Sequence, residues 1–157
     1  MKRTQIKVAT FLTALLGWVS VWATDVETLL AAEEAPVGVV FEIVSGEEGL
    51  LSRLLPAIKS DIKKLRENFP GIPVAIVTHG GEQFDLLTEN RDSETAAHKL
   101  AEELVNSDDV NVHVCGVHAS WRNKGAEDFP DYVNVAVTGP AQIKTYVDMD
   151  YELIVLP

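Results

Sequence analysis

Two short apolar runs, VGVVFEIV at residues 37–44 and IPVAIVT at residues 72–78, flank a stretch whose apolar residues repeat at helical spacing. This pairing restricts the fold more than any other feature of the chain. Each run is nearly continuous in apolar residues, the pattern of a strand covered on both faces. Between them Leu51, Leu55, Ile58, Ile62, Leu65 and Phe69 recur at intervals of four and three, which places them on one face of a helix. Pro56 lies off that stripe, so the helix begins near it or kinks there. Pro70-Gly71 ends it, and a helix joining two buried strands is the connection that parallel pairing requires.

The alternation continues down the chain. Asp92 or Ser93 is placed to cap a helix whose apolar face is Ala97, Leu100, Ala101 and Leu104. At residues 110–115 the β-branched Val110, Val112 and Val114 alternate with Asn111, His113 and Cys115, a third strand. Residues 119–124 read as a short helix before Gly125, and Asp128-Phe129-Pro130 as a turn. Residues 132–138 form a fourth strand. Gly139-Pro140 then opens a helix with Ile143, Tyr146 and Val147 on its buried face, proline being suited to a first turn. Residues 151–156 are the last strand. This order predicts a single-domain three-layer α/β/α fold with a mainly parallel sheet of about five strands, flavodoxin-like in architecture.

Ahead of this domain, residues 1–23 have the layout of a secretory signal peptide. Lys2, Arg3 and Lys7 make a positive start, residues 8–21 are mostly apolar, and Val21-Trp22-Ala23 offers a small-residue cleavage point. A membrane-spanning helix needs roughly 20 apolar residues. This run has 14 and is broken by Thr10, Thr13 and Ser20. Cleavage after Ala23 and a periplasmic or secreted location are therefore expected, without stable membrane insertion afterwards. Residues 24–36 are acidic and end in proline, a tether or a short, weakly packed helix, and residues 37–157 make the domain.

Loss of residues 1–23 leaves 134 residues with 24 acidic against 10 basic side chains, a net charge of −14. A chain of this size buries about two-thirds of its unfolded surface and needs no disulfide staple. The acidity argues against nucleic acid, which wants clustered Lys and Arg. Gly46-Glu47-Glu48-Gly49 after the first strand carries two acids that repel phosphate, and no Ser-His-Asp arrangement is legible. No cofactor is expected.

The candidate chemistry lies at strand ends, where open α/β sheets collect their ligands. Cys115 is the only cysteine of the chain and ends the third strand; His79 stands just beyond the second. A free thiol's pKa of about 8.5 falls beside a helix N-terminus or a cation, and His118, Arg122 and Lys124 follow Cys115, while Gly116 leaves room for a donor to approach. The opposing reading is a small buried hydrophobe. His79 either acts with Cys115 or bonds the backbone of its own loop. In a flavodoxin-like strand order the second and third strands flank the first, so the two residues stand about 10 Å apart and meet only through a long reach or a neighbouring subunit. His113-x-Cys115-x-x-His118 offers ligands suited to copper or zinc, although His118 lies beyond a turn. His98, on a predicted helix beside charged residues, reads as a solvated surface residue.

Ile76-Val77-Thr78-His79-Gly80, Val114-Cys115-Gly116 with Gly125 downstream, and the tail at residues 133–156 resemble the DsrE/DsrF-like sulfur-relay family with its YchN-like fold. The resemblance runs over residues 37–156. It implies a persulfide-bearing cysteine at Cys115, a histidine of the site at His79, a sulfur donor and acceptor as partners, and trimers or hexamers of the subunit. The sequence thus leaves three readings: an exported sulfur carrier, a copper or zinc binder at His113, Cys115 and His118, and a non-catalytic oligomeric binding module.

Overall fold

The structure, a computed structural model, describes residues 24–156. The expected signal segment, residues 1–23, lies outside the described residues. Five strands form one sheet: β1 Gly38–Ile43, β2 Val74–Thr78, β3 Val110–Cys115, β4 Asn134–Ala136 and β5 Tyr151–Leu156. The helices are α1 Val26–Leu30, α2 Leu51–Asn68, α3 Thr95–Asn106, α4 Gly116–Ser120 and α5 Gly139–Asp148. All neighbouring strands run parallel, in the order β4-β3-β2-β1-β5.

This order explains the layers. From β1 to β2 to β3 the chain steps in one direction across the sheet, and right-handed crossovers then put α2 and α3 on the same face. From β4 the chain returns across the whole sheet to β5, so α5 lies on the opposite face. Two apolar clusters follow. The larger joins Val39, Phe41 and Ile43 of β1 to Leu51, Leu55, Ile58, Ile62 and Leu65 of α2 and to Ala97, Ala101 and Leu104 of α3. The smaller joins Val40, Ala75 and Val77 to Ile143 and Tyr146 of α5. The three-layer α/β/α fold expected from the alternation is the fold observed, with every strand pair parallel.

The strand order itself differs from the flavodoxin-like one. β2 pairs directly with β3, with Val74 opposite Val110 and Thr78 opposite Val114. Alternation dictates parallel strands, but Val- and Ile-rich strands buried on both faces carry no pattern that selects their neighbours.

Several boundaries also moved. α2 begins at Leu51, with the exposed Pro56 inside it. Its start is capped from a distance, because the buried Asp85 accepts the N–H groups of Gly49 at 2.7 Å and Leu51 at 3.0 Å. Neither Asp92 nor Ser93 caps α3, whose N-cap position is Glu94 and has no side-chain cap. The acidic segment ahead of β1 forms α1: Asp25 accepts the Thr28 N–H at 2.7 Å, and Leu29 is buried in the larger cluster. The Thr24 N–H donates to the Leu153 carbonyl at 2.8 Å, tying this segment to the edge strand.

Candidate functional site

The loops after β1, β2 and β3 lead toward α2, α3 and α4, whereas the loop after β4 leads to α5 on the other face. Their divergence opens a cleft at the carboxyl ends of the strands, as open α/β sheets do where the chain changes direction. The cleft holds about 770 Å³. Ser45, His79, Cys115, His118 and Thr138 line it, with the exposed Val44, Val117 and Trp121 toward solvent.

Cys115 is 5 % exposed and ends β3. Its backbone is held by Gln83, a fully buried side chain from a 3₁₀ segment, Gly81–Leu86, that follows β2. The Cys115 N–H donates to Gln83 Oε1 at 2.8 Å and the Gln83 amide donates back to the Cys115 carbonyl at 3.4 Å. The amide thereby replaces the neighbouring strand that β3 has lost at this level and keeps two buried backbone groups satisfied. Sγ accepts the His118 N–H at 3.4 Å, because α4 begins immediately after Cys115 rather than at residue 119. Gly116 does not open a donor path. A Cβ there would stand 2.9 Å from the Ala136 carbonyl of β4, so the glycine allows β4 to approach.

His79 is brought to Cys115 by the direct β2–β3 pairing. The last paired positions are Thr78 and Val114, so His79 and Cys115 follow on adjacent strands and on the same face of the sheet. Adjacent strands lie about 4.8 Å apart, half the strand separation expected from the sequence, and both residues line the cleft of a single subunit. His79 Nε2 lies 2.8 Å from Glu42 Oε1 of β1. A carboxylate only accepts, so Nε2 carries the proton and Nδ1 has no protein partner among the described residues. The first residue of α5 presses on this ring: a Cβ at Gly139 would sit 2.4 Å from His79 Cβ.

The His79 carbonyl takes a second imidazole. His118 Nδ1 lies 2.8 Å from that carbonyl oxygen, which fixes Nδ1 as the donor and leaves Nε2 as the accepting nitrogen of the neutral ring. The His118 ring lies edge-on to Phe84 at 5.3 Å and beside Trp121 at 5.1 Å. Two imidazoles with assigned tautomers thus stand at the cleft with the thiol.

The structure does not bring His113, Cys115 and His118 together as ligands. His113 Nε2 lies 2.8 Å from the Tyr146 hydroxyl beneath α5, where burial pushes the imidazole below its ordinary pKa. Among the described residues no group of three His, Cys, Asp or Glu side chains is placed to hold a metal ion. Of the expected cations, Arg122 reaches the cleft but donates to Glu48 at 2.7 Å and stacks over Phe84, and Lys124 turns to Glu89 at 2.8 Å. His98 is not a surface residue. It is 2 % exposed, with Nε2 3.0 Å from the Leu87 carbonyl and Nδ1 2.6 Å from the Tyr132 hydroxyl. The irregular segment after β2 folds over α3 at that point and covers it.

Sequence reasoning missed Glu42, Glu82 and Gln83. Glu42 left one signal, a single charge inside an otherwise apolar central strand. Glu82 and Gln83 left none, since a polar stretch after two glycines reads as an exposed loop.

Fold and cleft together define a single-domain α/β protein with a cysteine and two histidines at the carboxyl edge of its sheet. No family model and no curated protein matches the chain. It is similar to the solved structure of a protein of unknown function from Methanobacterium thermoautotrophicum. That likeness covers 75% of this chain and 97% of the other with a TM-score of 0.57 at 15% identity, and it is a likeness of fold.

Proposed function

We propose that this chain is an exported sulfur carrier of the DsrE/DsrF-like kind, holding sulfane sulfur as a persulfide on Cys115 with His79 as its proton-transfer partner. One observation carries the reading: the chain's lone thiol lies at the wall of a cleft, accepts a backbone N–H at Sγ, and shares that cleft with His79, the residue that follows the neighbouring strand. A backbone donor at sulfur suits a thiolate or a persulfide anion, and the thiolate is the form that attacks a sulfur donor. The donor and acceptor are a protein or a small molecule. No helix among the described residues is long and apolar enough to cross a membrane.

Intact mass provides the test. Protein recovered from the exported fraction is expected to begin at Thr24, and treatment with inorganic polysulfide to add one or more sulfur atoms, about 32 Da each, that dithiothreitol removes. Cys115→Ser is expected to stay folded and take none. A native Cys115 inert to polysulfide and to alkylating agents withdraws the carrier in favour of the binding module.

The assembly implied by the family resemblance is tested separately. Light scattering of the mature chain at micromolar concentration is expected to give a trimer or hexamer. A monomer would remove the assembly and leave the Cys115 site intact, since its residues come from one subunit.

A further inference from the structure

Glu42 is the one charged residue of β1, whose other five residues are apolar or glycine. It shares a sheet face with Val40, and Val40 packs beneath α5 in the smaller core cluster. A carboxylate on such a face loses hydration that only a specific partner restores. Its partner is His79 Nε2 at 2.8 Å, and the two side chains are 19 % and 14 % exposed. Gly139 closes on the ring from the other side, so the imidazole is held between a carboxylate and a helix start.

We propose that Glu42 is the positioning residue of the Cys115 site: it fixes the tautomer and orientation of His79 so that Nδ1 accepts the proton of an incoming thiol. This rests on the carrier reading above. The acceptor class is an organic or protein thiol. Its S–H proton passes to His79 Nδ1, and the resulting thiolate attacks the outer sulfur of the Cys115 persulfide anion. A sulfur–sulfur bond forms to the acceptor as the bond between Sγ and the outer sulfur breaks, with the electron pair leaving on Sγ. His79 returns the proton to Sγ. The acceptor leaves as a persulfide anion and Cys115 as a thiol, so one sulfane sulfur has moved and no external oxidant or reductant is consumed. Glu42 touches no reacting atom, and its carboxylate acts by orienting the imidazole and balancing the imidazolium, the role of a third group behind a base. His118 differs from His79 in what holds its N–H, a backbone carbonyl rather than a carboxylate.

The test loads Cys115 with inorganic polysulfide, removes the excess, and follows transfer to N-acetylcysteine by intact mass. Glu42→Gln keeps the shape of the side chain and is expected to load as wild type while transferring roughly tenfold more slowly. Glu42→Ala is expected to lose about a hundredfold, within the range of general acid–base contributions. Nitrogen-15 NMR of the His79 ring is expected to show one tautomer, protonated at Nε2, in wild type and a mixture in Glu42→Ala. A merely structural Glu42 would leave tautomer and transfer rate unchanged once folding is matched, and that result overturns the proposal. Failure of the wild type to load at all overturns the carrier reading instead, and the role of Glu42 falls with it.

Discussion

Replacing Glu82 by Gln is expected to destabilise the fold by about 2–4 kcal/mol, although the two side chains have nearly the same shape. Glu82 is fully buried. Its Oε1 accepts the Thr78 hydroxyl at 2.6 Å and the Gly80 N–H at 2.9 Å, and its Oε2 accepts the Ser45 N–H at 2.8 Å. These groups lie at the ends of β1 and β2, so one carboxyl ties together two strand ends beneath the cleft. A carboxylate offers acceptors at both oxygens, whereas an amide offers one acceptor and two donors. Either orientation of Gln therefore sets an NH₂ group against a backbone N–H, the part-buried one of Ser45 or the buried one of Gly80. Rotation of the Thr78 hydroxyl relieves only its own contact. Glu82→Ala leaves all three donors without an acceptor and is expected to cost about 3–5 kcal/mol, as removal of one member of a buried polar group does. Urea unfolding followed by circular dichroism measures both, with lower midpoints and an unchanged slope. A Gln variant within about 0.5 kcal/mol of wild type would mean that the carboxyl is not the tie described.

The same segment shows where the sequence was and was not legible. Apolar residues announced themselves by period: the α2 stripe of Leu51, Leu55, Ile58, Ile62 and Leu65 is the buried face observed. The third strand at residues 110–115 was read to its last residue, and with it the position of Cys115. Polar residues have no comparable signature. Glu82, Gln83 and Asp85 all turn inward and bond respectively to the β1 and β2 ends, the Cys115 backbone and the start of α2. Burial pushes the Asp85 carboxyl above its ordinary pKa, even with two backbone N–H groups bound to it. Side chain to backbone bonds of this kind depend on which strand ends become neighbours, and strand order is decided by packing. That is also why the separation of His79 from Cys115 was overstated. The five strands and the long helices fall where the periodicity puts them along the chain, within shifted boundaries, while their partners across the sheet are not written in it.

His98 gives a second large effect, and one with a defined pH dependence. His98→Ala is expected to cost about 2–4 kcal/mol at pH 8, from lost packing and from two buried groups left unpaired. The Leu87 carbonyl only accepts, so Nε2 carries the proton and Nδ1 accepts from the Tyr132 hydroxyl, whose ring stands at 88° to the imidazole. Burial holds His98 below the ordinary imidazole value of 6.5, more strongly than the Leu87 bond raises it, with Arg91 and Glu94 the nearby charges of opposite sign. The unfolded chain therefore binds this proton at higher pH than the folded one. Stability is full above 6.5 and falls as the pH drops below it, because protonation favours the unfolded state. His113 contributes in the same direction, since burial beside Tyr146 depresses it too. Urea unfolding between pH 8 and pH 5.5 follows the loss, and the difference between wild type and each Phe variant assigns that histidine's share. His98→Phe keeps an aromatic ring but removes the titration, so it is expected to be less stable at pH 8 and to lose less on acidification. His113→Phe removes its own share, and the double variant is expected to lose less on acidification than either single variant. An undiminished acid slope in His98→Phe would place the titrating group elsewhere, and the buried neutral imidazole between Leu87 and Tyr132 would then carry no pH dependence.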